Sequence, residues 1–239
     1  MLNLPKNVWI LTACLALFMS LSVFMLFVGG IIGSVLAPSK SLSTLPVATI
    51  VVGTAVSIIP AIRLMSIFGR KKVFLGTCLY TILLIGLCIF SIINESFFLF
   101  SFASFCLGGN VAVMQQFRFA AIESVEPEQR PKATAIVLLG GLISAFLGTE
   151  IATLGKDFFD VDFVGSFIML SLLFITAFIL MCFFKPAEKF KQQIDNSNRS
   201  LIEIIKQGSF IVAVSAATTG FVVMSFIMTA TPVSMHIMD

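Results

Sequence analysis

Charge is the scarcest commodity in this sequence. Only 11% of its 239 residues are Asp, Glu, Lys or Arg, against roughly a quarter in ordinary soluble domains, while 58% are hydrophobic. So little charge cannot cover a water-soluble surface, and composition alone makes the chain an integral membrane protein. Histidine occurs once, as His236, with no cysteine paired to it. No two carboxylates sit at a spacing that suits acid–base work, and no Gly-x-x-x-x-Gly-Lys-Ser/Thr loop is present to cradle a phosphate. That argues against both an enzyme and an ATP-driven pump. Five cysteines occur, Cys14, Cys78, Cys88, Cys106 and Cys182, each inside an apolar run. Their spacing suits neither a metal site nor a disulfide framework, so they read as small hydrophobes. The 26 phenylalanines read as lipid-facing and core material, not as a stacking platform for nucleic acid. No metal, cofactor or nucleic-acid partner is expected.

Long uncharged runs fill the rest. A helical span needs about 20 apolar residues, and seven fit. Span one runs from Val8 to Leu36, too long for a signal-peptide core. Span two covers Thr44 to Met65, span three Val73 to Ile93, and span four Phe97 to Phe119. Span five runs from Ala133 to Leu154, span six from Phe163 to Phe184, and span seven from about Gly208 to Ala230. Short turns separate them, except after span six, where Lys185 to Gln207 turns abruptly polar and reads as a linker with a short amphipathic tail. The expected organisation is a six-helix bundle over residues 1–184, a cytoplasmic linker over 185–207, and a seventh helix within 208–239.

The basic residues orient this array. With the amino terminus inside, every lysine and arginine except Lys40 and Lys156 falls on the cytoplasmic side, and the positive-inside rule then gives one coherent topology over all seven spans. Small residues suggest where helices meet. Gly29 and Gly33 share one face of span one, which suits a close helix contact or a bendable helix end. Gly140, Ser144 and Gly148 place a small residue at every fourth position of span five, a stripe that lets backbones approach inside lipid.

The densest charge cluster is Arg63, Arg70, Lys71 and Lys72, where spans two and three meet. Leu64, Gly69, Arg70 and Lys71 resemble the loop between the second and third helices of the major facilitator superfamily, whose pattern is Gly-x-Leu-Ala-Asp-Arg-x-Gly-Arg-Lys. Ile62 stands at the first glycine of that pattern, Ser66 at its acid and Ile67 at its first arginine, so this loop lacks the family's carboxylate. Glu126-Pro127-Glu128-Gln129-Arg130-Pro131-Lys132-Ala133 is similar to the Pro-Glu-x-Arg-x-x-Ala connection before the family's fifth helix. The arginine that many members carry early in helix four has no counterpart here, and Gly148-Thr149 stands where a Gly-Pro is usual in the antiporter helix. The resemblance implies a secondary transporter of twelve helices in two halves, each built of inverted three-helix repeats, with the substrate site between the halves. It also implies that this chain is a truncated form, stopping near helix seven, and that a missing C-terminal half would be needed to complete the site.

Polar groups inside the bilayer are expensive and are candidates for function. Asn110, Gln115, Gln116 and Arg118 cluster in the second half of span four as candidate substrate or gating residues, with Arg118 equally suited to snorkel at the interface. Glu123 reads best as a solvated loop charge, and otherwise as a partner for Arg118 or Arg130. Glu150, the one acid inside a predicted span, fits either exposure near the interface or a cavity role with a coupling proton. Thr218 and Thr219 in span seven suit helix bonding or cavity lining. The expected function is transport of an unidentified small solute across the plasma membrane by alternating access, in contact with the lipid bilayer; the rival is a non-transporting membrane scaffold.

Overall fold

A computed structural model of the chain describes residues 4–186 and 205–238, with side chains described as far as Met224. The described residues are helical and contain no strand. The helices are α1 (Lys6–Leu36), α2 (Leu45–Phe68), α3 (Arg70–Ile93), α4 (Phe97–Met114), α5 (Phe117–Glu123), α6 (Arg130–Leu154), α7 (Val164–Cys182) and α8 (Gly208–Met238). Two compact units result, Met1–Gln193 and Ile194–Asp239. The first holds six segments long and apolar enough to cross a membrane, α4 and α5 together forming the fourth. Helix α8 belongs to the second and runs on past Ala230 to Met238. Most of the expected linker, including its amphipathic tail, lies outside the described residues.

Three boundaries differ from the sequence reading, each for a local physical reason. The connection between the second and third spans is a single residue, Gly69, at φ +82°. A side chain is strained there and glycine is not. Its N–H reaches Met65 O at 2.9 Å to close α2, and its carbonyl receives Val73 N–H at 3.3 Å to open α3. Span four is not continuous either. The N–H of Gln116 reaches back to Val113 O at 2.9 Å, an i to i−3 bond that tightens the helix for one step and sets α5 off from α4. Helix α6 begins at Arg130, ahead of Ala133, because Pro131 occupies its first turn, where its missing N–H costs nothing.

Helix pairing in the first unit follows one rule. The most extensive contacts join α1 to α6, α2 to α4, and α3 to α7. Exchanging spans one to three with spans four to six maps these pairings onto one another, as an inverted three-helix repeat requires. The two largest seams are closed by glycine. A Cβ on Gly140 would lie 2.5 Å from Thr12 O and 3.2 Å from Ala16 N, and one on Gly148 would lie 2.8 Å from Val23 Cβ. Across the other seam, a Cβ on Gly53 would collide with Phe105 O, and one on Gly108 would lie 2.5 Å from the carbonyl carbon of Gly53. Ser144, buried between the two α6 glycines, keeps its hydroxyl on Gly141 O at 2.6 Å. Gly29 and Gly33 sit where the chain enters α2: a Cβ on Gly29 would lie 3.3 Å from Val47 Cγ2, and one on Gly33 would fall on Ser43 O.

Phenylalanine fills the space between the seams. Phe18 of α1 meets Phe117 of α5 at 4.9 Å edge-on and Phe174 of α7 at 5.1 Å, and Phe74 of α3 meets Phe117 at 4.7 Å. Phe24 and Phe167 form a second edge-on pair at 4.9 Å. Each such pair adds about 0.5–1.5 kcal/mol beyond its buried area.

The seams give a direct contrast. Gly140→Val is expected to destabilise the bundle by about 1–3 kcal/mol or more through overpacking. Gly30→Ala, inside α1 with a Cβ that would meet nothing within 4 Å, is expected to leave stability unchanged or raise it by up to about 1 kcal/mol. Thermal unfolding followed by size-exclusion chromatography of the detergent-solubilised protein separates the two outcomes.

Candidate functional site

Three consecutive cations open α3, where the helix dipole disfavours positive charge, and the fold deals with them one at a time. Arg70 is buried and forms a two-pronged ion pair with Glu123 at the end of α5, Nε to Oε2 at 2.9 Å and Nη2 to Oε1 at 2.6 Å. Paired forks of this kind are the strong class of charged hydrogen bond. Lys71 donates from Nζ to Cys182 O at 2.6 Å, occupying a carbonyl at the end of α7 that the helix itself cannot satisfy. Lys72 is exposed and has no hydrogen-bond or ion-pair partner among the described residues. The turn at Gly69 thereby ties α3 to the ends of both α5 and α7. Arg63 is exposed on the last turns of α2, and its carbonyl accepts the Ser66 hydroxyl at 2.7 Å, so Ser66 closes a local turn and supplies no charge. Leu64 is exposed on the same turns.

Glu123 is therefore not a solvated loop charge, and neither Arg118 nor Arg130 is the partner seen here. Arg70 and Glu123 are 53 residues apart, so only the approach of α3 and α5 brings them together. The one signal in the sequence was that both flank span ends on the same side of the membrane.

The polar cluster of span four divides. Asn110 is fully buried and faces the bundle interior, Nδ2 toward Phe18 O of α1 at 3.4 Å and Oδ1 toward Thr81 Oγ1 of α3 at 3.4 Å. It joins three helices. The structure places it away from the exposed Gln115 and Arg118. Gln115 and Arg118 are exposed, Gln116 is half-buried, and the Arg118 guanidinium lies 5.0 Å from the Phe119 ring centroid. Glu150 is exposed on the last turns of α6, 20 residues along from Arg130 and so about 30 Å away at 1.5 Å per residue. It lies toward the opposite end of its span from the basic turns. Thr218 and Thr219 are exposed on α8, and Thr219 returns its hydroxyl to Ser215 O at 2.9 Å. Among the described residues no three His, Cys, Asp or Glu side chains gather in a group that could hold a metal ion.

Six membrane-length segments, paired as an inverted three-helix repeat and strapped at one end by Arg70, Lys71 and Glu123, define a polytopic helical membrane bundle. The chain belongs to the Major Facilitator Superfamily, whose family model matches residues 8–238. It is 32% identical over 240 aligned residues to the riboflavin transporter RfnT of Brucella anthropi, a match that covers 96% of this chain and 58% of that relative. No solved structure matches.

The strap yields a measurable coupling. Arg70→Ala or Glu123→Ala should each cost about 2 kcal/mol, the scale of a hydrogen bond to a charged group. The double variant should cost little more than either single one, because each alone strands its partner. Strict additivity of the three unfolding midpoints would show that the pair contributes nothing.

Proposed function

We propose that the protein is a secondary active transporter that carries riboflavin, or a chemically similar planar heterocycle, across the plasma membrane by alternating access. The observation that carries this reading is the identity to a protein named as a riboflavin transporter over nearly the whole of this chain. The six spans of the first unit form one half of the transporter, residues 185–207 connect the halves, and α8 opens the second half. Because the chain spans 58% of that relative, a complete solute site calls for helices equivalent to the remainder. The amino terminus and the Gly69 turn lie on the cytoplasmic side, in keeping with the distribution of basic residues.

Roles for individual residues follow from chemistry and exposure. Riboflavin is uncharged at neutral pH and offers an imide edge and a hydroxylated chain, so amide side chains suit it better than ions. Gln115, with Gln116 beside it, supplies such groups on span four, and Arg118 supplies a guanidinium that can stack on a flat ring. Glu150, an exposed acid toward the opposite end of the bundle, is the residue best suited to take up a coupling proton. Asn110 holds span four in position from inside the bundle.

A chimera that continues this chain with the remaining helices of the Brucella anthropi relative is expected to accumulate radiolabelled riboflavin in proteoliposomes. Gln115→Ala in that chimera should raise KM about tenfold, the loss of roughly 1–2 kcal/mol of hydrogen bonding, without loss of protein. A correctly inserted chimera that takes up no riboflavin rejects the solute, and uptake by the 239-residue chain alone rejects the requirement for a second half. For topology, cysteine at Arg130 in a background freed of native cysteines should react with an impermeant thiol reagent only after the inner face is opened, and cysteine at Lys40 in intact cells. The reverse pattern would overturn the orientation.

A further inference from the structure

The α2–α3 hairpin encloses a feature that solute transport does not explain. The two helices touch little beyond their shared turn. Between them, floored by α4, lies a cavity of about 530 Å³. Pro60 lines it from inside α2, and proline there removes a helical hydrogen bond and favours a bend. Gly76 and Gly109 line it from α3 and α4 without side chains, and a Cβ on Gly76 would meet nothing within 4 Å. The walls are apolar in effect. Thr77 gives its hydroxyl to Val73 O at 2.8 Å, and Tyr80 gives its own to Cys106 O at 2.9 Å. Both protons are thereby committed, and with Ser57 these are the only hydroxyls in an otherwise apolar wall that has Lys72 at one end.

Depth and charge identify the occupant. Along α3 the lining runs from Lys72 to Tyr80, and along α2 from Phe68 to Ser57, about 12–17 Å at 1.5 Å per residue. That is half of a hydrocarbon core about 30 Å thick, or one leaflet. At the mouth stands Lys72, the one cation of the Arg70–Lys72 run with no partner among the described residues. We propose that this cleft is a binding site for an anionic phospholipid, with one acyl chain laid between α2 and α3 and the phosphate headgroup held by Lys72. Basic pockets between transmembrane helices take anionic headgroups for this reason. The site would place a lipid against the single-residue hinge at Gly69, so its occupancy stiffens the α2–α3 turn beside the Arg70–Glu123 strap.

Native mass spectrometry of the 239-residue chain, released from detergent with equimolar phosphatidylglycerol and phosphatidylcholine of identical acyl chains, tests this. Phosphatidylglycerol adducts should dominate. Lys72→Ala should reduce their excess about fivefold, the scale of one cation at an anionic lipid surface, while Lys72→Arg preserves it and Lys132→Ala leaves it unchanged. Gly76→Phe, which fills the cleft, should reduce adducts of both lipids. The proposal is overturned if Lys72→Ala leaves the ratio untouched, if Lys132→Ala lowers it equally, or if Gly76→Phe spares both adducts. A photoreactive phenylalanine at Leu64 that crosslinks to protein instead of lipid in the membrane would overturn it as well, by assigning the cleft to another helix.

Discussion

Everything in the first unit depends on how closely its helices approach without a hydrophobic drive. Lipid tails are as apolar as leucine, so association inside a bilayer rests on packing and on the few polar groups that cross between helices. The chain meets that constraint with two glycine seams, Gly140 and Gly148 of α6 against α1, and Gly53 and Gly108 meeting between α2 and α4. Backbone contact there brings the phenylalanines of α1, α3, α5 and α7 into one cluster. Asn110 then finds partners on two neighbouring helices, in a place where an unpartnered amide would be costly. The seams come first in this ordering, because neither the ring cluster nor the amide contacts exist unless the backbones are close.

The ends of the helices obey a different physics. At the Gly69 turn, charge that the apolar spans cannot accept is gathered and assigned: Arg70 to Glu123, Lys71 to the Cys182 carbonyl at the end of α7, and Lys72 to the cleft mouth. In the superfamily's loop pattern the carboxylate lies within the loop itself, at the position of Ser66. Here the carboxylate that faces the loop's arginine comes from the far end of span four. A motif that lacks its acid in one segment therefore has a carboxylate supplied to its arginine by another. Any movement that separates α3 from α5 must break this ion pair.

Much of this was legible in the residues. Six spans and their order followed from uncharged runs, since backbone in lipid must satisfy its own hydrogen bonds. Family membership followed from Leu64, Gly69, Arg70 and Lys71 together with the Pro127–Ala133 connection. Asn110 is legible as a polar group deep in an apolar run, yet its partners, Phe18 O on α1 and Thr81 on α3, lie 92 and 29 residues away, and no periodicity names them. Gly53 drew no attention because a lone glycine in an apolar run carries no pattern; its role exists only opposite Gly108.

The sequence by itself determined class, span number and the concentration of basic residues at one set of turns, because hydropathy, length and charge are properties of single segments. Tertiary structure alone decided which segment answers which: that Glu123 belongs to Arg70, that Lys71 reaches the end of α7, and that Lys72 is left facing a cleft between α2 and α3. Those are relations between residues tens of positions apart. In a membrane they are fixed by which helix faces fit closely enough to exclude lipid, a matter of shape at the seams that no local pattern in the chain records.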